Sequence, residues 1–256
     1  MWRTRWAPCR AGAPLRCGPM PQPTQDHGRR AVLCTGGWMH PPEASSPELA
    51  ALLEGLGFDL NIVTDPSLLA EALIQPDGSS PDLFVINACW FSMNADRYTP
   101  EQRASFGVGA DRLREEAIEK YILGGGPTLA IHAAVTCFDS WPRWGDLIGG
   151  AWEWGRSWHN EPEDIQWQAV RDNIDITWVD VVEPFVVTDE LYQECSLRPG
   201  TRVLARADSG QPLLWAPVSS DRVAVSLLGH DERSLSSGGH RALLVAAVRH
   251  LTRPES

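Results

Sequence analysis

The sequence predicts an α/β fold, a mostly parallel sheet with helices on both faces. Three observations lead there. From residue 31 onward, short apolar runs alternate with stretches of helical periodicity, the rhythm of βαβ units. Residues 124–136 (GGGPTLAIHAAVT) read as strand, sharp turn and helix, with small residues at 130, 133 and 134 around His132. Such an elbow lets the backbone bend tightly and presents one side chain at the mouth of a sheet. Finally, 256 residues with 43% hydrophobic and 21% charged content suit a globular chain with a sizeable core.

The elements follow in order. Residues 31–35 (AVLCT) read as a buried strand and 36–41 as a loop carrying His40. Ser46 is placed to cap a helix that has Pro47 at its first position and Gly57 beyond its end. A second strand spans 58–63 and a second helix 66–75. A third strand spans 82–89 and runs into Trp90. Residues 111–123 read as a helix with Leu113, Ala117, Ile118 and Tyr121 on one face. The elbow strand and its helix come next, with Cys137 inside that helix. After Trp141 the rhythm breaks into a Trp-rich loop (149–165), short β-like pieces (166–188) and the polar stretch 189–194. Residues 202–206 and 213–216 read as a hairpin, 222–227 as another buried strand and 240–251 as a final amphipathic helix.

Residues 1–29 stand apart as a Pro/Arg-rich N-terminal tail, expected to be disordered, ahead of a single α/β domain over 30–253. Met20 is an alternative start. Six arginines against Asp26 give residues 1–30 a net +5, which leaves −16 for the rest of a chain whose total is −11. So acidic a body repels a phosphate backbone, and no nucleic-acid partner is expected. No apolar run is long enough to span a bilayer, so no membrane partner is expected either. The tail has no apolar core of the kind a secretory signal needs. The six cysteines show no CxxC spacing, and the expected location is the reducing cytoplasm, without disulfides. Cys34 and Cys89 lie in apolar runs and read as packing residues.

His40, Trp90 and His132 each follow the carboxyl end of a predicted strand, the edge where open α/β sheets bind ligands. His230 follows the last buried strand, and His159 sits in the Trp-rich loop. Each alone reads equally as a satisfied loop or core histidine. Four at one edge point to acid/base or metal chemistry near neutral pH. His132, His159 and His230 are the metal candidates, for a divalent ion such as zinc in an open three-histidine site. A metal-free acid/base pair is the other possibility. Asp189-Glu190, near Tyr192, can supply a carboxylate, and Asp231, beside His230, or Glu190 can orient an imidazole, although a solvated turn is the commoner fate of such acids. Trp154 and Trp158 offer aromatic faces for a sugar ring. A hydrophobic lid or a homo-oligomer interface explains the same tryptophans.

His-Pro after the first strand, GGGxxxAIHAA at 124–134, W…LIGGAW…H at 144–159, DELY at 189–192 and SLLGHD at 226–231 together resemble the ThuA-like family, named for trehalose utilisation. The resemblance covers about residues 31–252. It implies a flavodoxin-like, class I glutamine amidotransferase-like fold with the active site at the elbow. In amidotransferases a cysteine occupies the apex and a His-x-Glu follows a late strand. Here the apex is His132 and the late pair is His230-Asp231, so glutamine hydrolysis is not expected. The resemblance implies carbohydrate metabolism, with a small-molecule glycoside or keto-sugar as substrate. On that reading His132, His230 and Asp231 are catalytic, and His40, Trp90, Trp154, Trp158, His159, Glu190 and Tyr192 bind substrate. The alternative is a non-catalytic module that lost its nucleophile and kept a pocket for a sugar or a partner protein.

Overall fold

The computed structural model describes residues 28–75, 77–170 and 178–254. The predicted tail lies outside the described residues apart from its last two positions. The chain runs β1 (Arg29–Gly37), α1 (Pro42–Gly55), β2 (Phe58–Val63), a 3-10 turn (Pro66–Leu68), α2 (Leu69–Leu73), β3 (Leu83–Cys89), α3 (Pro100–Phe106), α4 (Arg112–Leu123) and β4 (Thr128–Ile131). A 3-10 turn (His132–Thr136) makes the elbow. Then follow α5 (Arg143–Ile148), β5 (Gly150–Ala151), β6 (Glu163–Ala169), β7 (Phe185–Asp189), β8 (Ser196–Leu197), β9 (Arg202–Ala207), β10 (Pro212–Ala216), β11 (Val223–Ser226), α6 (Glu232–Leu235) and α7 (Gly238–Leu251).

Nine strands form one sheet in the order β2-β1-β3-β4-β11-β10-β9-β6-β7. The first five are parallel, and in chain order they give the 2-1-3-4-5 arrangement of a flavodoxin-like sheet. The other four continue it as antiparallel strands. The parallel part is covered on both faces, because alternate residues of each strand enter different cores. Val32 and Cys34 of β1 pack with Leu69 and Leu73 of α2 and with Ile118 and Tyr121 of α4. Ala31 and Leu33 pack with Leu49 and Leu53 of α1 and with Leu244 and Val248 of α7. Burial on both sides explains why these strands read as unbroken apolar runs rather than as an alternation.

Several local expectations shift. Helix α1 begins at Pro42, not after Ser46. Pro47 lies inside it, and the Ser46 hydroxyl donates to Thr35 Oγ1 instead of capping. The elbow helix is only a 3-10 turn, with Cys137 at its end, fully enclosed. On α4 the inward face carries Arg114 while Leu113 is exposed. Arg114 can be buried because its guanidinium lies 4.7 Å from the Phe138 ring and donates to the Gly109 carbonyl. Helix α3 was not expected. Thr99 caps it in a full capping box with Gln102, with Pro100 at the first position.

Candidate active site

Four of the five parallel strands, β1, β3, β4 and β11, end at one edge, and each sends a loop over it. After β1, Gly36 and Gly37 adopt positive φ (98° and 105°). A Cβ on Gly37 would collide with the Cys89 backbone, so β1 can close against β3 there only with glycine. That turn delivers His40, which is buried. Its Nδ1–H donates to the Trp38 carbonyl at 2.9 Å. Burial, followed by the neighbouring His132, lowers the His40 pKa to about 3 and keeps the ring neutral.

His132 sits at the elbow apex with φ of 51°, a conformation that non-glycine residues hold only where the surroundings enforce it. The enforcement is visible: Nδ1 lies 2.8 Å from the Leu227 carbonyl beyond β11, and Nε2 lies 3.3 Å from Glu190 Oε2. Both partners are acceptors, so the pair needs a proton on each imidazole nitrogen or one on Glu190. Burial alone would depress the His132 pKa. The Glu190 hydrogen bond, the Asp189 charge and the Leu227 carbonyl outweigh it and raise the value. His132 has no exposed surface, so the apex side chain lies beneath the floor rather than in the cleft.

The group that enters the cleft is Glu190. Its Oε2 lies 3.3 Å from His132 Nε2, 3.3 Å from His230 Nδ1 and 3.5 Å from His159 Nδ1. Burial disfavours the charged carboxylate, but the His132 hydrogen bond and the three facing imidazoles prevail and hold its pKa below the usual range. Asp189 is buried beside it and ties three backbone N–H groups together, those of Glu190 (2.7 Å), Gly229 (2.7 Å) and His230 (3.3 Å). The solvated turn that is the commoner fate of such acids does not form here: both are buried, and Asp189, a possible carboxylate in the sequence but not among its candidate site residues, holds the floor together. Its signal was the paired acids of DELY at the end of a strand-like run.

The floor opens into a cavity of about 410 Å³ whose lining includes His40, His159, Glu190, Tyr192 and His230 below and Trp38, Phe91, Tyr98, Trp152 and Trp154 around. Arg97, Glu161 and Arg233 add charged groups to the wall. Tyr192 roofs His132, with ring centroids 4.3 Å apart, and stacks on His159 at 5.1 Å. Trp154 is 41% exposed and lies 4.8 Å from the Phe91 ring.

Other expected site residues fall elsewhere. Asp231 orients no imidazole: its carboxylate caps α6 and pairs with Arg233 at 2.6 Å. Trp90 packs in the core under the sheet edge and is not part of the cavity wall. Trp158 stands on the surface, bridged to Gln193, outside the lining. Of the metal candidates, His132 and His230 belong to a set whose donor atoms, with those of His40 and Glu190, all lie within 4.8 Å of one another. His159 stands outside that set, its Nδ1 also 2.9 Å from the Asn160 carbonyl, and His40 takes its place.

Neither thiol near the elbow, Cys89 or Cys137, is suited to attack. Burial pushes Cys89 up to about 12 and raises Cys137 further from its usual range. The four cysteines among the described residues are free.

The family model ThuA, described as trehalose utilisation, matches residues 30–251. The chain belongs to the ThuA family. Solved ThuA-like proteins share its architecture. One from Parabacteroides merdae has 18% identity and a TM-score of 0.66 over 88% of this chain and 90% of that one. One from Bacteroides uniformis has 19% identity and a TM-score of 0.63 over 91% and 95%. A glutamine amidotransferase from Thermotoga maritima aligns with 12% identity and a TM-score of 0.51, over 89% of this chain and 100% of that one. At these identities the likeness is one of fold. The ThuA chain thus has the amidotransferase-like sheet with a buried histidine at its elbow. No curated protein matches it. No helix among the described residues is long and apolar enough to cross a membrane.

Proposed function

We propose that this ThuA protein is an enzyme of carbohydrate metabolism that acts on a glycoside or keto-sugar at the floor of the aromatic-walled cavity. One observation carries the reading: Glu190 Oε2 lies within 3.5 Å of a nitrogen on each of three imidazoles, beneath a cavity large enough for a sugar. A carboxylate held this way transfers a single proton, with His132 behind it as the reservoir and His230 beside it as the second group. Trp154 and Phe91 offer faces to the apolar side of a pyranose, and Arg97, Glu161 and Arg233 offer partners to its hydroxyls. Convergence of the histidines supports catalysis over the non-catalytic module, in which no such convergence is required. Membership of a family described by trehalose utilisation supports the sugar.

The test is a panel of disaccharides and their keto derivatives, incubated with the wild-type chain and with Glu190→Gln, products being followed by NMR. Turnover of at least one sugar by the wild type and its loss in the folded variant is the expected result. Saturable binding of a sugar with no turnover by either protein would make the chain a binding module.

A further inference from the structure

Two buried ring nitrogens at the cavity floor make no hydrogen bond: His40 Nε2, and His230 Nδ1, which faces Glu190 Oε2 at 3.3 Å without hydrogen-bonding to it. Buried polar atoms are nearly always paired, so two orphans side by side ask for a missing group. The His40 case fixes its character. Its Nδ1–H is used by the Trp38 carbonyl, so Nε2 is a lone pair, and the residue is 7% exposed. A lone pair calls for a proton donor or a cation. His132 repeats the pattern, with Nδ1 turned to the Leu227 carbonyl and Nε2 turned inward.

The three rings form a nearly equilateral triangle, with centroids 5.0, 5.2 and 5.3 Å apart. Glu190 Oε2 completes the set. Histidines that bind metals usually anchor the far ring nitrogen on a carbonyl or carboxylate, and His40 and His132 both do so. We propose that His40, His132, His230 and Glu190 bind one divalent first-row transition cation, the class that three imidazoles and one carboxylate select. Donors around such an ion, each about 2.1 Å from it, sit roughly 3.4 Å from one another. His132 Nε2 and Glu190 Oε2 are already 3.3 Å apart, and all four donor atoms lie within 4.8 Å of one another. The cation also supplies the positive charge that a nitrogen and a carboxylate facing each other require. The assignment rests on the reading of this pocket as the working site and puts the cation where a proton otherwise lies between His132 Nε2 and Glu190 Oε2, and its test needs no sugar.

The full chain is stripped with a chelator and dialysed. Zn2+ is then titrated by calorimetry, with bound metal counted by mass spectrometry, and Co2+ is added separately for its visible spectrum. One equivalent of Zn2+ per chain is expected, together with the visible d–d bands of four-coordinate Co2+ and no thiolate charge-transfer band, which excludes capture by Cys9 or Cys17. His40→Gln and Glu190→Gln should each weaken Zn2+ binding at least tenfold, while His250→Gln, far from the floor, leaves it unchanged. Circular dichroism confirms that each variant is folded. Substoichiometric Zn2+ on the folded wild type at micromolar free metal would overturn the assignment, as would binding indifferent to both floor variants. Sugar turnover that persists in the stripped, metal-free chain would remove the metal from the reaction and leave the proposed function standing.

Discussion

Asp189 Oδ2 accepts the backbone N–H of Gly229 at 2.7 Å, so the end of β7 is bonded directly to the turn after β11. The carboxylate also takes the Glu190 and His230 amides. One buried side chain thereby sets the relative position of the two chain segments that carry the acid and the late histidine.

Replacing Asp189 with Asn puts an amide N–H2 where an acceptor is needed and leaves a buried donor unpaired. The expected cost is about 1–3 kcal/mol, read as a lowered midpoint in urea unfolding. Activity should fall further than stability alone explains, because Glu190 and His230 lose their common anchor. An unchanged midpoint would show that the three amides find other partners.

His132 and Glu190 act as one unit if the proton lies between them. His132→Ala and Glu190→Gln should each lower kcat by roughly a hundredfold or more. The double variant should be little worse than either alone. Multiplying losses would separate the two residues' roles.

Trp154→Ala removes an exposed ring face without opening the core. The expected effect is a rise of about tenfold in KM with kcat nearly kept, the mark of lost uniform binding. Trp158→Ala, outside the lining, serves as the control and should leave both constants alone. A larger effect from Trp158 would relocate the sugar.

Stability should fall in mild acid. Burial, and then Arg253, lower the His250 pKa from 6.5 to about 4, with Asp221 opposing and Arg222 assisting. His240 is depressed in the same direction by burial. A depressed folded value means that the neutral ring is favoured, so its contribution is complete above 6.5 and lost as the pH falls through about 4. Wild-type Tm should drop across that window. His250→Gln, which keeps a neutral acceptor for Arg253, should flatten the slope by calorimetry. Parallel curves for the two proteins would assign the acid loss to other groups.

Most of the parallel sheet was legible because its inner strands are apolar on both sides and short, as at residues 31–35 and 82–89. The elbow showed through the small residues around His132. The edge histidines followed from strand ends alone, and three of them do meet. What escaped depends on partners distant in sequence. Asp189 and Glu190 stand out as paired acids, but what each one holds is set by Gly229 and His132, far away along the chain. Leu113 and Arg114 exchange the expected sides because Phe138 offers the guanidinium a ring face. Helix α3 could have been found, since Thr99, Pro100 and Gln102 spell out a helix start.

The position of β11 between β4 and β10 has a consequence for synthesis. Strand β4 leaves the ribosome roughly 90 residues before Val223, its partner's first residue, at 5–20 residues per second a delay of roughly 5–18 s. Through that interval the middle of the future sheet is an unpaired apolar edge on a nascent chain, open to mispairing or to a chaperone. The Leu227 carbonyl that orients His132 arrives with the same late segment, so any fragment that stops short of β11 lacks both a closed sheet and a formed cavity floor.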